Sequence, residues 1–304
     1  MASTSQEPST CLACGAKDPH ARDATIAPFI AKRIWNRHPF RATLYSCRAC
    51  GLRFIRPGLS RAELALLYRD YRGSDYQRLR ERFEPWYTPA FNANLSAAGV
   101  IRGRRKALKS LLVTRLGLRP RKVLDFGGNR GELVRELLPQ SRAFVYDISG
   151  VSPLPPAIRL ADIQACAAED CDLTICSNVL EHVSAPQDML AEIARAAPNA
   201  LAFVEVPIES PLALDMLMRR LIQQAILTVL RPNTALALYR LGFWFQAHEH
   251  ITYFTPEALR RLATRLNYTV VDEGSYKLGG TRLGPFRWRS TVAWVLVKAE
   301  GTAV

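Results

Sequence analysis

The chain has 304 residues, 48% of them hydrophobic, and 41 lysines and arginines against 27 acidic residues, a formal net charge of +14. That length suits one main domain with a small accessory and excludes three ordinary domains. A helical membrane span is excluded as well: the most apolar stretch, residues 221–230, sits between Arg220 and Arg231 and falls short of the roughly 20 apolar residues a span needs.

Residues 1–10, MASTSQEPST, form a polar tail with neither a basic start nor an apolar core. This is no secretory signal, so the protein is expected to be cytoplasmic and its tail disordered. The positive charge is concentrated early, with 24 lysines and arginines against eight acidic residues in residues 1–122, and 17 against 19 in the remainder. Such asymmetry fits a polyanionic partner, whether nucleic acid or a phosphorylated small molecule, or simply solvated arginine-rich helix faces.

Residues 11–57 carry short apolar pieces and turn residues, the pattern of a small ribbon-like module. Within it Cys11, Cys14, Cys47 and Cys50 form two C-x-x-C pairs separated by 32 residues. Each such turn presents two sulfurs to one ion, and four soft thiolates suit tetrahedral zinc in a structural role, with no open position for chemistry. The other three cysteines, Cys166, Cys171 and Cys176, read as buried or surface thiols. Residues 58–120 read as a mostly helical, basic and tyrosine-rich connection, with Leu64, Leu67, Tyr68 and Tyr71 at helical spacing and Tyr76, Phe83, Trp86 and Tyr87 beyond.

From residue 121 to about 300 apolar runs alternate with helical segments. VLDFG, AFVYD, DLTICSN, LAFVEVP, YTVVDEG and STVAWVLVKA read as strands, while GELVRELL, APQDMLAEIARAA and PEALRRLATRLN read as helices, the last entered through Thr255 as N-cap. Strands alternating with helices predict an α/β fold, a Rossmann-like parallel sheet covered on both faces. A helical insertion interrupts the alternation at about residues 209–246.

The first strand leads into Asp125-Phe126-Gly127-Gly128-Asn129-Arg130-Gly131, and Asp147 ends the next strand sixteen residues after Gly131. Glycines there allow a tight turn and close approach of a ligand to the backbone, and a carboxylate at the next strand end can accept two ribose hydroxyls. VLDFGGNRG, FVYD and DLTICSNVLEHV resemble the first, second and fourth-strand motifs of the class I methyltransferases. The resemblance implies S-adenosylmethionine as cofactor. It would place Asp125, Gly127, Gly128, Asn129 and Gly131 around the methionine part, Asp147 on the ribose, Asp162 and Ile163 beside the adenine, and Ser177 and Asn178 beneath the methyl group. In the same motif His182 is often a residue that starts a helix.

His248-Glu249-His250 follows the insertion. Two imidazoles and a carboxylate can supply a general base, although adjacent side chains diverge and make a poor metal site. The order of parts, from cysteine pairs through tyrosines and methyltransferase core to HEHITYF, resembles zinc-binding small-molecule methyltransferases, including sugar C-methyltransferases. That resemblance implies His250 and Glu249 as base and orienting partner, with Tyr71 or Tyr76 touching substrate. Ala247 stands where those enzymes tend to have tyrosine. The expected acceptor is therefore a small molecule, such as a nucleotide-linked sugar or another phosphorylated intermediate. The competing expectations are an RNA methyltransferase and a non-catalytic binding module of the same fold.

Overall fold

The computed structural model describes residues 10–37, 40–95, 98–134, 140–209, 214–240, 246–278, 282–283, 286–287 and 290–299. In chain order it gives β1 (His20–Ile26), α1 (Pro28–Trp35), β2 (Phe40–Ser46), β3 (Arg53–Arg56), α2 (Arg61–Tyr68), α3 (Ser74–Phe83) and α4 (Pro89–Leu95). Next come α5 (Ala98–Lys109), continued by a π-helical turn at Ser110–Arg115, then β4 (Lys122–Phe126), β5 (Arg142–Tyr146), β6 (Ile158–Arg159), α6 (Ile163–Ala168) and β7 (Leu173–Ser177). α7 (Pro186–Ala196), β8 (Leu201–Ile208), α8 (Leu214–Leu230), α9 (Pro232–Arg240), β9 (Gln246–Ala247) and β10 (Thr252–Tyr253) follow. The described chain closes with α10 (Pro256–Arg265), β11 (Tyr268–Leu278), β12 (Arg282–Leu283), β13 (Phe286–Arg287) and β14 (Ser290–Ala299). No helix among the described residues is long and apolar enough to cross a membrane.

The chain divides into two compact units: residues 1–94, 181–184 and 209–254 in the first, and 95–180, 185–208 and 255–304 in the second. The first is built on a five-stranded sheet in the order β10-β3-β2-β1-β9. Its backbone is the antiparallel pair β1 and β2, in register from His20 opposite Ser46 to Ile26 opposite Phe40. Two short strands from far along the chain complete the sheet, Thr25 and Ile26 pairing with Gln246 and Ala247, and Phe54 and Arg53 with Thr252 and Tyr253. Phe29, Ile30, Leu44, Leu52, Phe54, Tyr76 and Tyr87 fill its core. Helix α2 starts where Ser60 and Glu63 form a reciprocal capping box, which satisfies two orphan N–H groups of its first turn. Helices α8 and α9 pack on each other through Leu227, Ala235 and Leu238; residues 210–213 and 241–245 of the expected insertion lie outside the described residues, as do residues 1–9 of the tail.

The second unit carries a seven-stranded sheet in the order β11-β14-β8-β7-β4-β5-β6. Neighbours β8 to β6 pair in parallel, while β14 runs antiparallel to both β8 and β11 and is the reversed strand. The central strands are continuous apolar runs because both faces are covered: Val123, Leu124 and Phe126 of β4 and Leu173, Ile175 and Cys176 of β7 are all buried. Leu108 and Leu112 pack with Val123, Ile175, Phe203 and Trp294 in the core. Cys166 and Cys171 are buried too, in keeping with free cysteine as a small hydrophobe. Thr255 caps α10 as expected, its hydroxyl accepting from the Ala258 N–H at 3.0 Å. The expected helix GELVRELL is represented by a turn over residues 131–134; residues 135–139 lie outside the described residues.

Candidate active site and metal centre

In the first unit the two cysteine turns meet. Cys11 and Cys50 Sγ atoms are 3.6 Å apart, as are those of Cys14 and Cys47. A regular tetrahedron with Zn–S bonds of about 2.3 Å has edges of about 3.8 Å, so the four sulfurs stand close to the spacing a zinc ion imposes. The turns are shaped for it: Gly15 and Gly51 take φ of 73° and 76°, and their N–H groups donate to the Cys11 and Cys47 carbonyls at 3.0 and 2.9 Å. Glycine adopts that left-handed conformation without a Cβ penalty.

In the second unit β4 delivers Asp125 to the glycine turn. Gly127 has φ 78°, Asn129 50° and Gly131 67°. A Cβ on Gly128 would stand 2.2 Å from the Asp125 carboxyl, and one on Gly131 2.8 Å from Val145, so neither position has room for a side chain. Asp125 is buried, and its Oδ2 has no hydrogen-bond partner among the described residues. Burial, with Asp147 and Glu205 nearby and Arg104 opposing, pushes its pKa up to about 7, a state that gains from a cation placed beside it. Asp147 accepts the Asn129 and Ser149 N–H groups, each at 2.7 Å, one on each oxygen, which orders the turn around it. A carboxylate has lone pairs left for two hydroxyls in addition. The orphaned carboxyl, the two positions closed to side chains and the oriented Asp147 together fit an adenosyl cofactor bearing an ammonium group.

Ser177 and Asn178 stand at the end of β7, Asn178 with φ 55°. Both meet Arg104, whose guanidinium bonds the Ser177 hydroxyl, Asn178 Oδ1 at 2.8 Å and Glu205 Oε1 at 2.6 Å. Glu205 is fully buried and also accepts from Ser177 and from the Tyr276 hydroxyl. Removing one partner of a buried ion pair strands the other charge. Glu205→Ala is therefore expected to destabilise this unit by about 3 kcal/mol, read from denaturant unfolding, with Glu205→Gln milder because it keeps an acceptor. Asp162 is exposed and caps α6 through the Ala165 N–H at 2.8 Å, with half-buried Ile163 beside it as the first helical residue.

The histidines expected to do acid–base work lie in the first unit, but their partners are not those the sequence suggests. His250 Nδ1 is 2.7 Å from Glu209 Oε2, and its Nε2 is 4.0 Å from Glu181 Oε1. Its ring stands edge-on to His182 with centroids 4.8 Å apart. Burial alone would lower the His250 pKa, but Glu209, then Glu181 and Glu249, raise it to about 9. His182 goes the other way, lowered to about 4 by burial and by the neighbouring His250. Its Nδ1 lies 2.7 Å from the Tyr68 hydroxyl and 2.9 Å from the Glu249 carbonyl oxygen. The segment is pinned by Ile251 N–H on the Glu181 carbonyl at 2.9 Å and by the Thr252 hydroxyl on the Val183 carbonyl at 2.9 Å.

Ligand atoms of Glu181, His182 and His250 fall within 4.8 Å of one another. A tetrahedral site with bonds of about 2.0–2.1 Å has edges of about 3.3 Å, whereas Glu181 Oε1 stands 3.8 and 4.0 Å from the two Nε2 atoms. The two cysteine pairs stand nearer their tetrahedral spacing than Glu181 does to the two histidines.

Glu249 turns to a different network. It accepts from the Tyr76 hydroxyl and pairs with Arg80 at 3.3 Å. Burial pushes its pKa up, but Arg80, His248 and Tyr76 outweigh it and hold the carboxyl at about 2. His248 Nε2 meets Glu84 at 2.5 Å, and Phe29 stacks on its ring. Glu249 and His248 thus tie the loop to α3, and Glu209 takes the orienting place beside His250. Tyr76 is fully buried, while Tyr71 keeps partial exposure and packs edge-on to both Tyr68 and Tyr76. Sequence reasoning missed Glu181, Glu209, Arg104 and Glu205; Glu181 carried a signal, as the acidic residue inside the LEHV motif, whereas Glu209 looked like any charge at the start of an insertion.

A family profile described as a methyltransferase domain matches residues 100–273. No curated protein matches the chain. Among solved structures, the Burkholderia thailandensis 1,6-didemethyltoxoflavin-N1-methyltransferase, with 1,6-didemethyltoxoflavin and S-adenosylhomocysteine bound, is 15% identical over 85% of this chain and 96% of its own, with a TM-score of 0.45. Magnesium protoporphyrin IX methyltransferase from Synechocystis, with S-adenosylhomocysteine bound, is 14% identical over 69% of this chain and 87% of its own, with a TM-score of 0.40. An S-adenosylmethionine-dependent methyltransferase from Anabaena variabilis is 11% identical over 64% and 84%, also with a TM-score of 0.40.

Proposed function

We propose, from the fact that this chain belongs to the class I S-adenosylmethionine-dependent methyltransferases, that it methylates a small molecule and that His250 takes up the acceptor's proton. S-adenosylmethionine, when bound, supplies a methyl group on a positively charged sulfur. Asp125, Gly127, Gly128, Asn129 and Gly131 would receive its methionine part, Asp147 its ribose, Asp162 and Ile163 its adenine, and Ser177 and Asn178 the region of the methyl group. Arg104 and Glu205 hold the last two in place. Cys11, Cys14, Cys47 and Cys50 would hold a structural zinc ion whose closed shell leaves it outside the chemistry.

The observation that carries the base assignment is the pairing of His250 Nδ1 with Glu209 at 2.7 Å, which fixes the ring and leaves Nε2 as the atom that exchanges a proton. Glu181 follows Ser177 by four residues, and Glu209 directly follows β8. Because the acceptor's methyl donor is already activated, the protein's task is alignment and removal of one proton.

The sign of the pH dependence follows from the raised pKa. A base held protonated up to about pH 9 is competent only in its deprotonated fraction, so kcat/KM is expected to climb about tenfold per pH unit from 7 and level off near 9. Stability moves oppositely: the His250–Glu209 interaction contributes fully below 6.5, the ordinary histidine value, and is lost as pH rises through about 9. Glu209→Gln should shift the activity profile toward lower pH. His250→Ala should lower kcat by about 10²–10⁴-fold while S-adenosylhomocysteine binds as before. Unchanged kcat with the true acceptor would remove His250 from the reaction.

A further inference from the structure

The five-stranded sheet carries a polar concavity that neither the cofactor turn nor the histidine cluster uses. His20 on β1 lies opposite Ser46 on β2, and Ser46 lies opposite Arg53 on β3, so the three side chains form one row on one face of the sheet. Arg22, two residues along β1 from His20, shares that face by strand alternation, and Arg48 and Gly51 come from the second cysteine turn. With Ser46 and Cys47 these residues line a cavity of about 310 Å³.

Three arginines line this cavity, more positive charge than the roughly −2 that a zinc–tetrathiolate cluster at Cys47 would set beside them. Among the described residues His20, Arg22, Arg48 and Arg53 make no ion pair and no side-chain hydrogen bond. Two arginines of α3 in the same unit are paired instead, Arg80 with Glu84 and Glu249 and Arg78 with Asp75. Asp23, the acidic residue of β1, alternates to the opposite face. Three guanidiniums around one hollow repel one another, and an anion entering it relieves that repulsion. Guanidinium forks match phosphate oxygens two at a time, and the Ser46 hydroxyl can add a donor. Gly51, with φ 76°, leaves the backbone beside the hollow open to close approach.

We propose that His20, Arg22, Arg48 and Arg53 form a binding site for the phosphate or diphosphate group of a small molecule. An open hollow of this size suits a discrete anionic group, whereas the backbone of a nucleic-acid chain is tracked by an extended groove or stripe. The row continues past Arg53 to its partner Tyr253 on β10, whose hydroxyl donates to the His250 carbonyl at 2.8 Å.

The test uses the full, zinc-loaded chain and calorimetry with inorganic pyrophosphate at low ionic strength. Saturable binding is expected, weakened at least about tenfold, the equivalent of one lost charge-assisted contact, in R48A/R53A. Zinc content and S-adenosylhomocysteine binding should stay unchanged in that variant. No heat with pyrophosphate, or equal binding by R48A/R53A, overturns the site. So does tight, salt-sensitive binding of polyuridylate alone, which would make the patch an RNA surface. If R48A/R53A releases zinc faster and pyrophosphate never binds, the arginines merely offset the charge of the metal–thiolate cluster, and the site is again refuted. S-adenosylhomocysteine binding, measured in the same series, reports separately on the methyltransferase reading.

Discussion

Removing zinc with a chelator is expected to melt the first unit's sheet and abolish turnover while leaving S-adenosylhomocysteine binding largely intact. Residues 11–14 and 47–50 meet at the four sulfurs, and Cys47 N–H and Gly51 N–H close the second turn on the Leu52 and Cys47 carbonyls. Without the ion, four thiols packed at 3.6 Å contacts have little to hold them together. Zinc supplies on the order of 10–16 kcal/mol in small zinc-folded peptides, far more than a short sheet gains from its own core. Strands β9 and β10, which flank His248, Glu249 and His250, are bonded to β1 and β3 of that sheet. The metal can therefore be essential to activity without touching substrate. One zinc per chain, lost together with the sheet signal in circular dichroism and with activity, is the expected result, reproduced by Cys14→Ser and Cys47→Ser. A metal-free protein with an unchanged unfolding transition would refute the structural role.

The second large effect is expected from Asp147→Ala, which should weaken S-adenosylhomocysteine binding by about 10²–10³-fold, the equivalent of about 3–4 kcal/mol. Two losses combine. The carboxylate that would take the ribose hydroxyls disappears, each charged hydrogen bond contributing about 1.5–3 kcal/mol. The Asn129 and Ser149 N–H groups, both held by Asp147 at 2.7 Å, also lose their acceptor, so the turn itself loosens. Asp147→Asn keeps one acceptor oxygen and should retain much of the affinity, which separates loss of charge from loss of the turn. Calorimetry with S-adenosylhomocysteine reads all three proteins; an alanine variant that binds like the parent would place the cofactor elsewhere.

Local features were legible in the sequence because their causes are local. The run VLDF had to be a doubly covered strand, and glycine at positions 127 and 131 was required by backbone angles that a side chain disfavours. Thr255 before Pro256 marked a helix start, and the C-x-x-C pairs marked two sulfur-presenting turns. Helix α1, lying between the two cysteine turns, carried no comparable signal and was not foreseen.

Which charge meets which was decided only by the tertiary structure. HEH offered a carboxylate beside each histidine, yet adjacent side chains point apart, and the acceptor for His250 came from Glu209, 41 residues away, while Glu249 joined Tyr76 and Arg80 some 170 residues distant. Arg104 found Glu205 across 101 residues. Sheet register and helix packing set those pairings, and a pattern of periodicity or spacing contains no term for them. Protonation states followed the same logic: His182 and His250 are chemically identical in sequence, but burial beside another histidine lowers one to about 4, and a neighbouring carboxylate raises the other to about 9.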